Sequence, residues 1–560
     1  MGGAVAAAER AAGRLTSESR QIMAWILAGT LRAERGDLAG ARIAYRRALT
    51  VAPGSSVSVE AARLLSAMSD VSPADQLLIG RVYLRNGNVP RGVAGLTTYM
   101  EAGGATAAER DRLRYDIANA QFGAASYEAA EKALLEVAAS VTDRKTAADA
   151  LYTAARAQYR DGRQPVARAT LDRIVREYGD QPAAVRAAYL GADLDHDAGE
   201  LDRAETRYRD AIRLDPSSAE AGIARMRLGG MALAAGRLEE AVREFDEYRN
   251  THRSGSSYQQ ATYWSGQAQS RLGRSDEARA RFLEARRNDP FSYYGGIAGT
   301  ELGDDGIAAR LEPAPASSER FERDVQRALA RVDLLREIGW SEAAAFEMER
   351  VRRHFASYDG ALYTLAEALN ERGFVTAGIL LGREIRRREG AWNARLLRIV
   401  YPFPFRAIIE AEARDRGVDP FLAAALIRQE SMFNPTARSG VGALGLMQVM
   451  PATGASLARR LGVAGFKPDM LTRPELNVHF GMAYLADQLR SYGGRLDLVL
   501  AAYNAGPGRV SRWRAFPEYQ DRLLFAERIP YEETRDYVRI VQNNRRMYAL
   551  LYGADAPAAD

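Results

Sequence analysis

Gly162, Gly199, Gly236 and Gly273 recur at a spacing of 37 residues. Each is followed five positions later by alanine (Ala167, Ala204, Ala241, Ala278) and nine positions later by a large side chain (Leu171, Tyr208, Phe245, Phe282). A period of this length is one helix-turn-helix unit. The glycine lets the chain turn sharply between two helices, and the alanine permits their close approach. The large side chain is expected to fill the gap to the neighbouring unit. One such unit cannot bury its apolar face alone, so this stretch must stack unit on unit. Gly87 and Gly123 mark weaker copies nearer the N-terminus.

The first copy carries the fullest pattern. Trp25, Gly29, Gly36, Ala41, Tyr45, Ala48 and Pro53 resemble the tetratricopeptide repeat at nearly every marked position, with Pro53 ending the second helix. Residues 1–288 are therefore read as a tetratricopeptide-like superhelical domain. Such an array offers a long concave surface. It suits a docking platform for peptides and, as a second reading, a grip on a large polymer.

A chain of 560 residues is too long for one core and is expected to form several domains. Strand-like alternation is nearly absent, which gives an all-α fold class. Apolar residues make up 47%, with no run long enough to span a bilayer, so a soluble chain is expected. The net charge of +5 is almost all arginine, since the lysines are Lys132, Lys145 and Lys467. No dense basic stripe accompanies it, and a nucleic-acid partner is not expected. Without cysteine there are no disulfides or thiolate metal sites. His196, His252, His354 and His479 show no metal-ligand spacing, so neither metal nor other cofactor is expected. Glu9, Arg10, Arg14, Glu18 and Arg20 interrupt any apolar signal core, and Ile22–Leu31 reads better as a repeat helix. The expectation is that the start is not the natural one or that a signal has been removed.

The repeat regularity stops after Asp289-Pro290. Phe291-Ser292-Tyr293-Tyr294-Gly295 follows, then a loop from Pro313 to Ser318 and helices over about 319–395 with a turn at Gly339. Two prolines in Tyr401-Pro402-Phe403-Pro404 prevent a helix from running through. The expected parts are thus 1–288, a helical linker domain over 289–398, a third domain over 399–553 and a disordered tail over 554–560.

The chemistry is expected in the third part. Asp419-Pro420 is a helix start, with Asp as N-cap and Pro at the first helical position. Ala423, Leu426 and Ile427 fall seven, four and three residues before Glu430, which puts Glu430 on the apolar face. Burial disfavours an ionised carboxyl and raises its pKa, as a general acid requires. The helix alone fits equally a buried structural glutamate held by a backbone group or an arginine.

Four motifs change that balance. Arg428-Gln429-Glu430-Ser431 is similar to the catalytic Glu-Ser motif of the soluble lytic transglycosylases, lysozyme-like peptidoglycan-cleaving enzymes of bacterial periplasms. Gly442 through Gln448, continued as Val449-Met450-Pro451, resembles their Gly-Leu-Met-Gln motif. Ala502-Tyr503-Asn504-Ala505-Gly506-Pro507 resembles their third motif, and Ile529 through Val538 their fourth. The likeness extends more weakly to Tyr293-Tyr294-Gly295 and the helical N-terminal region. It implies an all-α chain with a superhelix curved into a ring, a helical linker and a lysozyme-like C-terminal domain. It further implies a periplasmic monomer that acts on peptidoglycan glycan strands and stem peptides and meets cell-wall synthesis or secretion-machinery proteins.

By the same resemblance Glu430 is the catalytic residue, and Ser439, Gln448, Met450, Tyr503, Asn504 and Glu533 bind substrate. Gly442 and Gly445 would bring the backbone close to a sugar ring. Gln448 offers donor and acceptor to an N-acetyl group or hydroxyl, and the Tyr503 ring a stacking surface. Glu533 and Arg535 also read as a plain surface ion pair. Most glycoside hydrolysis takes two carboxylates, yet no second acid motif accompanies Glu430; Glu412, Asp415 and Asp419 look like surface or capping residues. The expected reaction is therefore cleavage of the β-1,4 bond between N-acetylmuramic acid and N-acetylglucosamine with a 1,6-anhydro product, Glu430 serving as acid and then base. The alternatives are a hydrolytic muramidase similar to goose-type lysozyme and a non-catalytic wall-binding repeat protein.

Overall fold

The computed structural model describes residues 2–303, 311, 313 and 318–553; most of the expected loop from Pro313 to Ser318, and the expected tail over 554–560, lie outside them. The described residues are helical apart from turns, loops and isolated β-bridges, among them Arg438 with Leu444 and Leu444 with Val449. No helix among them is long and apolar enough to cross a membrane. The contacts divide the chain into two compact units, Met1–Arg227 and Leu228–Asp560.

In the first unit the repeat glycines do what their spacing requires. Gly36, Gly162 and Gly199 sit just past helix ends at φ of 78°, 81° and 80°, the left-handed region that glycine adopts without strain. The weak copy at Gly123 differs: that glycine is the last residue of helix Ala107–Gly123, and Ala125 takes the left-handed position at φ 59°. Ala41, Ala167 and Ala204 are fully buried between paired helices. Ile22–Leu31 lies within helix Glu18–Ala33.

The large side chains depart from expectation. Tyr45 fills a gap inside its own helical hairpin, where a Cβ on Gly29 would stand 2.5 Å from the Tyr45 ring. In the second unit Phe245 lies against Gly229 and Phe282 against Gly266 in the same way, with such a Cβ 2.6 and 2.8 Å from the ring. In all three hairpins the glycine precedes the ring by 16 residues. Contact at that range needs the absent side chain, because interiors are close-packed and a methyl group has nowhere to go.

Beyond the repeats, the second unit runs through helices Glu319–Glu337, Ser341–Phe355, Asp359–Glu371, Val375–Glu389 and Ala394–Val400. The proline pair separates the last of these from Arg406–Arg416. One apolar cluster extends from Phe291 through these helices to Leu551, so the segment 289–398 and the segment beyond it share a core. At its centre helix Pro420–Ser431 packs against the long helix Glu532–Tyr552, which also touches Leu496–Ala505 and Tyr293–Glu301.

Candidate active site

Helix Pro420–Ser431 begins as its sequence requires: Asp419 Oδ1 accepts from the Phe421 backbone N–H at 2.9 Å, and Pro420 needs no donor. Ala423, Leu426 and Ile427 have no exposed surface. The helix ends without glycine, on Met432 at φ 47° followed by the buried Phe433 at φ 61°. Two consecutive left-handed non-glycine residues carry strain of order 1–3 kcal/mol each, and such strain persists where the surrounding structure holds it. Here it begins two residues after Glu430.

Glu430 is half-buried in the last turn. Tyr537, itself 4% exposed, donates its hydroxyl to Glu430 Oε1 at 2.6 Å. Burial pushes the Glu430 carboxyl up to about 7; the Tyr537 hydrogen bond pulls the other way, and the negative charge of Glu533 adds to the rise. Burial, followed by the charge of Glu430, drives the hydroxyls of Tyr503 and Tyr537 well above 10, so both remain protonated donors.

The second motif is a tight loop tied to this helix. Ser431 Oγ donates to the Leu446 carbonyl at 2.8 Å, and Leu444 and Val449 exchange backbone hydrogen bonds at 3.1 and 3.0 Å. Buried Asn477 clamps the loop from outside: its Oδ1 accepts from Met447 N–H at 2.7 Å, and its Nδ2 donates to the Leu444 and Leu471 carbonyls, both at 2.8 Å. Gly445, expected to let backbone approach a sugar, instead lets it approach this clamp. At φ 78°, a Cβ there would lie 2.2 Å from the Leu471 carbonyl and 2.3 Å from Asn477 Nδ2. Gly442 faces open space.

Of the expected substrate-binding side chains, several hold the site together. Tyr503 donates its hydroxyl to the Met447 carbonyl at 2.8 Å, and its ring lies 5.4 Å from that of Tyr484. Gln448 donates its amide to the Gly445 and Ala437 carbonyls at 2.8 and 3.3 Å, leaving its side-chain oxygen as the atom it has to offer. Asn504 Oδ1 accepts from Thr534 at 2.6 Å, joining the third motif to the fourth. Ser439 Oγ accepts from Ala443 N–H at 2.9 Å within its loop. Met450 is 40% exposed, beside Pro451 at the start of the next helix. Glu533 is exposed, while Arg535 donates to the Ile529 and Pro530 carbonyls at 2.6 and 3.1 Å. Two of the acids that precede the helix are occupied elsewhere: Glu412 with His479 at 2.8 Å, Asp419 with Arg545 at 2.5 Å.

Comparison with known proteins bears on the same region. The Transglycosylase SLT domain model matches residues 407–523, and the Tetratricopeptide repeat-like domain model residues 139–291. The chain is 36% identical over 143 residues to the soluble lytic murein transglycosylase of Salmonella typhimurium, covering 25% of this chain and 22% of that protein. It is 35% identical over 155 residues to that of Escherichia coli K12, covering 27% and 24%. The matched stretch thus spans less than a quarter of either relative. The solved 70 kDa soluble lytic transglycosylase of E. coli aligns over 96% of this chain and 82% of that one, with a TM-score of 0.63 and 21% identity. An inactive mutant of the lytic transglycosylase Slt of Pseudomonas aeruginosa aligns over the same shares at TM-score 0.62 and 21% identity, a likeness of fold. This chain thus carries a stretch similar to the Transglycosylase SLT domain and resembles the solved lytic transglycosylases in fold.

Three residues of the site escape a reading of the sequence. Tyr537 lies inside the fourth motif, but nothing in the motif's spacing says that it faces an acid 107 residues earlier. Asn477 stands in an ordinary helical stretch. Arg428 reads as a polar face residue, yet it is 3% exposed; it donates twice to the Val400 carbonyl at 3.0 and 2.9 Å and lies 4.4 Å over the Tyr401 ring. The one available signal was its place beside a wholly apolar run, where a cation needs a carbonyl or a ring as partner.

Proposed function

We propose that this chain cleaves the β-1,4 bond between N-acetylmuramic acid and N-acetylglucosamine in peptidoglycan and closes a 1,6-anhydro ring on the muramic acid. The observation that carries this reading is Glu430: half-buried, raised to about 7 and held by one neutral hydroxyl donor. A carboxyl poised near neutrality serves as an acid and then as a base within one turnover.

Glu430 gives its proton to the glycosidic oxygen as the bond from that oxygen to C1 breaks. The carbonyl oxygen of the substrate's own acetamido group attacks C1 and takes the place of a second carboxylate. Between the two steps Glu430 is ionised, and the Tyr537 hydroxyl stabilises that form by a charge-assisted hydrogen bond. Glu430 then takes the proton of the C6 hydroxyl, O6 attacks C1, and the acetamido group leaves. Water is not consumed, and both reacting groups on one sugar remove the entropic demand of recruiting it.

The same reading places the chain in the periplasm as a monomer with glycan strands and stem peptides as partners. Residues 1–288, 289–398 and 399–553 would serve as array, linker and catalytic part. Gln448, through its side-chain oxygen, Met450 and Ser439 would meet the sugars, and Glu533 the stem peptide. A hydrolytic muramidase is the second reading, favoured by the charge of Glu533 being felt at Glu430. Digestion of purified sacculi followed by mass spectrometry separates the two, since the anhydro product is lighter by one water. Products carrying that water would overturn the proposal, and release that survives Glu430→Gln would remove Glu430 from the chemistry.

A further inference from the structure

Helix Glu532–Tyr552 is held from two sides. Thr534, Tyr537, Val541, Asn544 and Tyr548, spaced three and four apart, are buried on one face. Arg539, Asn543 and Arg546 form a second stripe against the segment Phe291–Gly295, to which the proposed chemistry assigns nothing. Arg539 Nη1 donates to Tyr294 Oη at 2.8 Å and to Glu527 Oε2 at 3.3 Å. Tyr294 in turn donates to Glu527 Oε1 at 2.5 Å, and Gln260 donates to Glu527 Oε2 at 2.7 Å. Asn543 donates to the Phe291 carbonyl at 2.9 Å and Arg546 to that of Ser292 at 3.1 Å. The fit is close: a Cβ on Gly296 would lie 2.4 Å from the Arg546 guanidinium.

Tyr294 is 5% exposed, and its hydroxyl is bonded to both members of the Arg539–Glu527 pair. Removing it takes one hydrogen bond from each of two half-buried charged groups, which keep their ion pair and, for Arg539, Asp536 but lose the bridge between them, so that water enters or the helix shifts. That shift reaches the site because Arg539 is two residues from Tyr537 on one rigid helix. A hydrogen bond between two oxygens weakens over a few tenths of an ångström beyond its preferred length.

We propose that Tyr294 is a positioning residue for the acid: by joining Arg539 to Glu527 it sets the height and rotation of helix Glu532–Tyr552, so that the Tyr537 hydroxyl meets Glu430. This rests on the reading of Glu430 as the acid. The segment that follows the repeat array then acts on the acid through Tyr537.

The test compares the full chain with Tyr294→Phe, Tyr537→Phe, the double variant and Glu430→Gln. Turnover of solubilised glycan strands is followed against pH. The titratable groups facing Glu430 are Tyr537 and Glu533 on this helix and Tyr503 on Leu496–Ala505; repeating the series in a Glu533→Gln background assigns the limb. Tyr294→Phe is expected to lower kcat on the order of tenfold with KM little changed. It should move the alkaline limb to higher pH, as Tyr537→Phe does, because the donor that stabilises ionised Glu430 is displaced. The double variant should be no slower than Tyr537→Phe alone, as for two residues acting through one contact. A limb that stays in place while only the melting temperature falls overturns the proposal, and so do losses that multiply in the double variant. Should Tyr294→Phe fail to fold, Arg539→Lys, which keeps the charge and loses the fork, is read in its place by the same criteria. Activity remaining in Glu430→Gln instead overturns the reading of the acid.

Discussion

The Tyr537 hydroxyl donates to Glu430 Oε1 at 2.6 Å across 107 residues of sequence. It opposes the burial that raises this carboxyl and so sets where the acid titrates. Replacing Tyr537 with Phe removes the one donor that favours the ionised form. The Glu430 carboxyl should then rise above about 7, and turnover should fall on the order of tenfold to a hundredfold, the worth of a hydrogen bond to a charged group. A pH profile of Tyr537→Phe superimposable on that of the parent would refute the assignment.

The raised carboxyl also bears on stability. A carboxyl whose folded pKa lies above its unfolded value near 4.5 stabilises the fold fully below that value, and the contribution is lost as pH rises through about 7. Glu430→Gln, which cannot ionise, should therefore melt higher than the parent at pH 8 and nearly with it at pH 4. The difference is on the order of 2 kcal/mol once partial exposure is allowed for. Thermal melts at the two pH values measure it, and an advantage that does not grow with pH would contradict the stated burial.

Gly445→Ala should abolish the loop geometry. The added methyl group meets the Leu471 carbonyl and the Asn477 amide at 2.2 and 2.3 Å, on a backbone at φ 78°. A loss of roughly 3 kcal/mol or more is expected from strain and collision together. The same change at Gly442, whose added methyl group would meet nothing within 4 Å, should cost only its backbone strain of about 1 kcal/mol. Denaturant titration of the two variants gives the comparison; equal losses would mean that the clamp is not what Gly445 serves.

Asn477→Ala removes one acceptor and two donor bonds and leaves the Met447 N–H and the Leu444 and Leu471 carbonyls without this partner. About 3 kcal/mol of destabilisation is expected. Faster amide exchange should appear at Met447 and Val449 before it appears in helix Pro420–Ser431. Uniform exchange across both segments would show that the loop has no separate clamp.

What was legible beforehand follows from the range of each interaction. The 37-residue period exposed the repeats because turn glycines and buried alanines are local requirements. The ring-on-glycine contact of Tyr45 with Gly29 is not legible along either helix, because its 16-residue offset joins two. At the site, the helix spacing placed Glu430 on a buried face, and the resemblance named the loops around it. Gly445 serves the backbone at the Asn477 clamp, since a residue near a ligand site can equally serve the backbone beneath it. Arg428, Asn477 and Tyr537 act on partners 28, 30 and 107 residues away, beyond any spacing rule.

The distance between Glu430 and Tyr537 has a consequence in time. A ribosome adding about 5–20 residues per second takes roughly 5–20 seconds to pass from one to the other. Through that interval the glutamate exists without the hydroxyl that tunes it, and with no closing helix over it. A polypeptide interrupted anywhere between them carries the acid itself, but not the finished acid: maturation of this centre is withheld until helix Glu532–Tyr552 has been made.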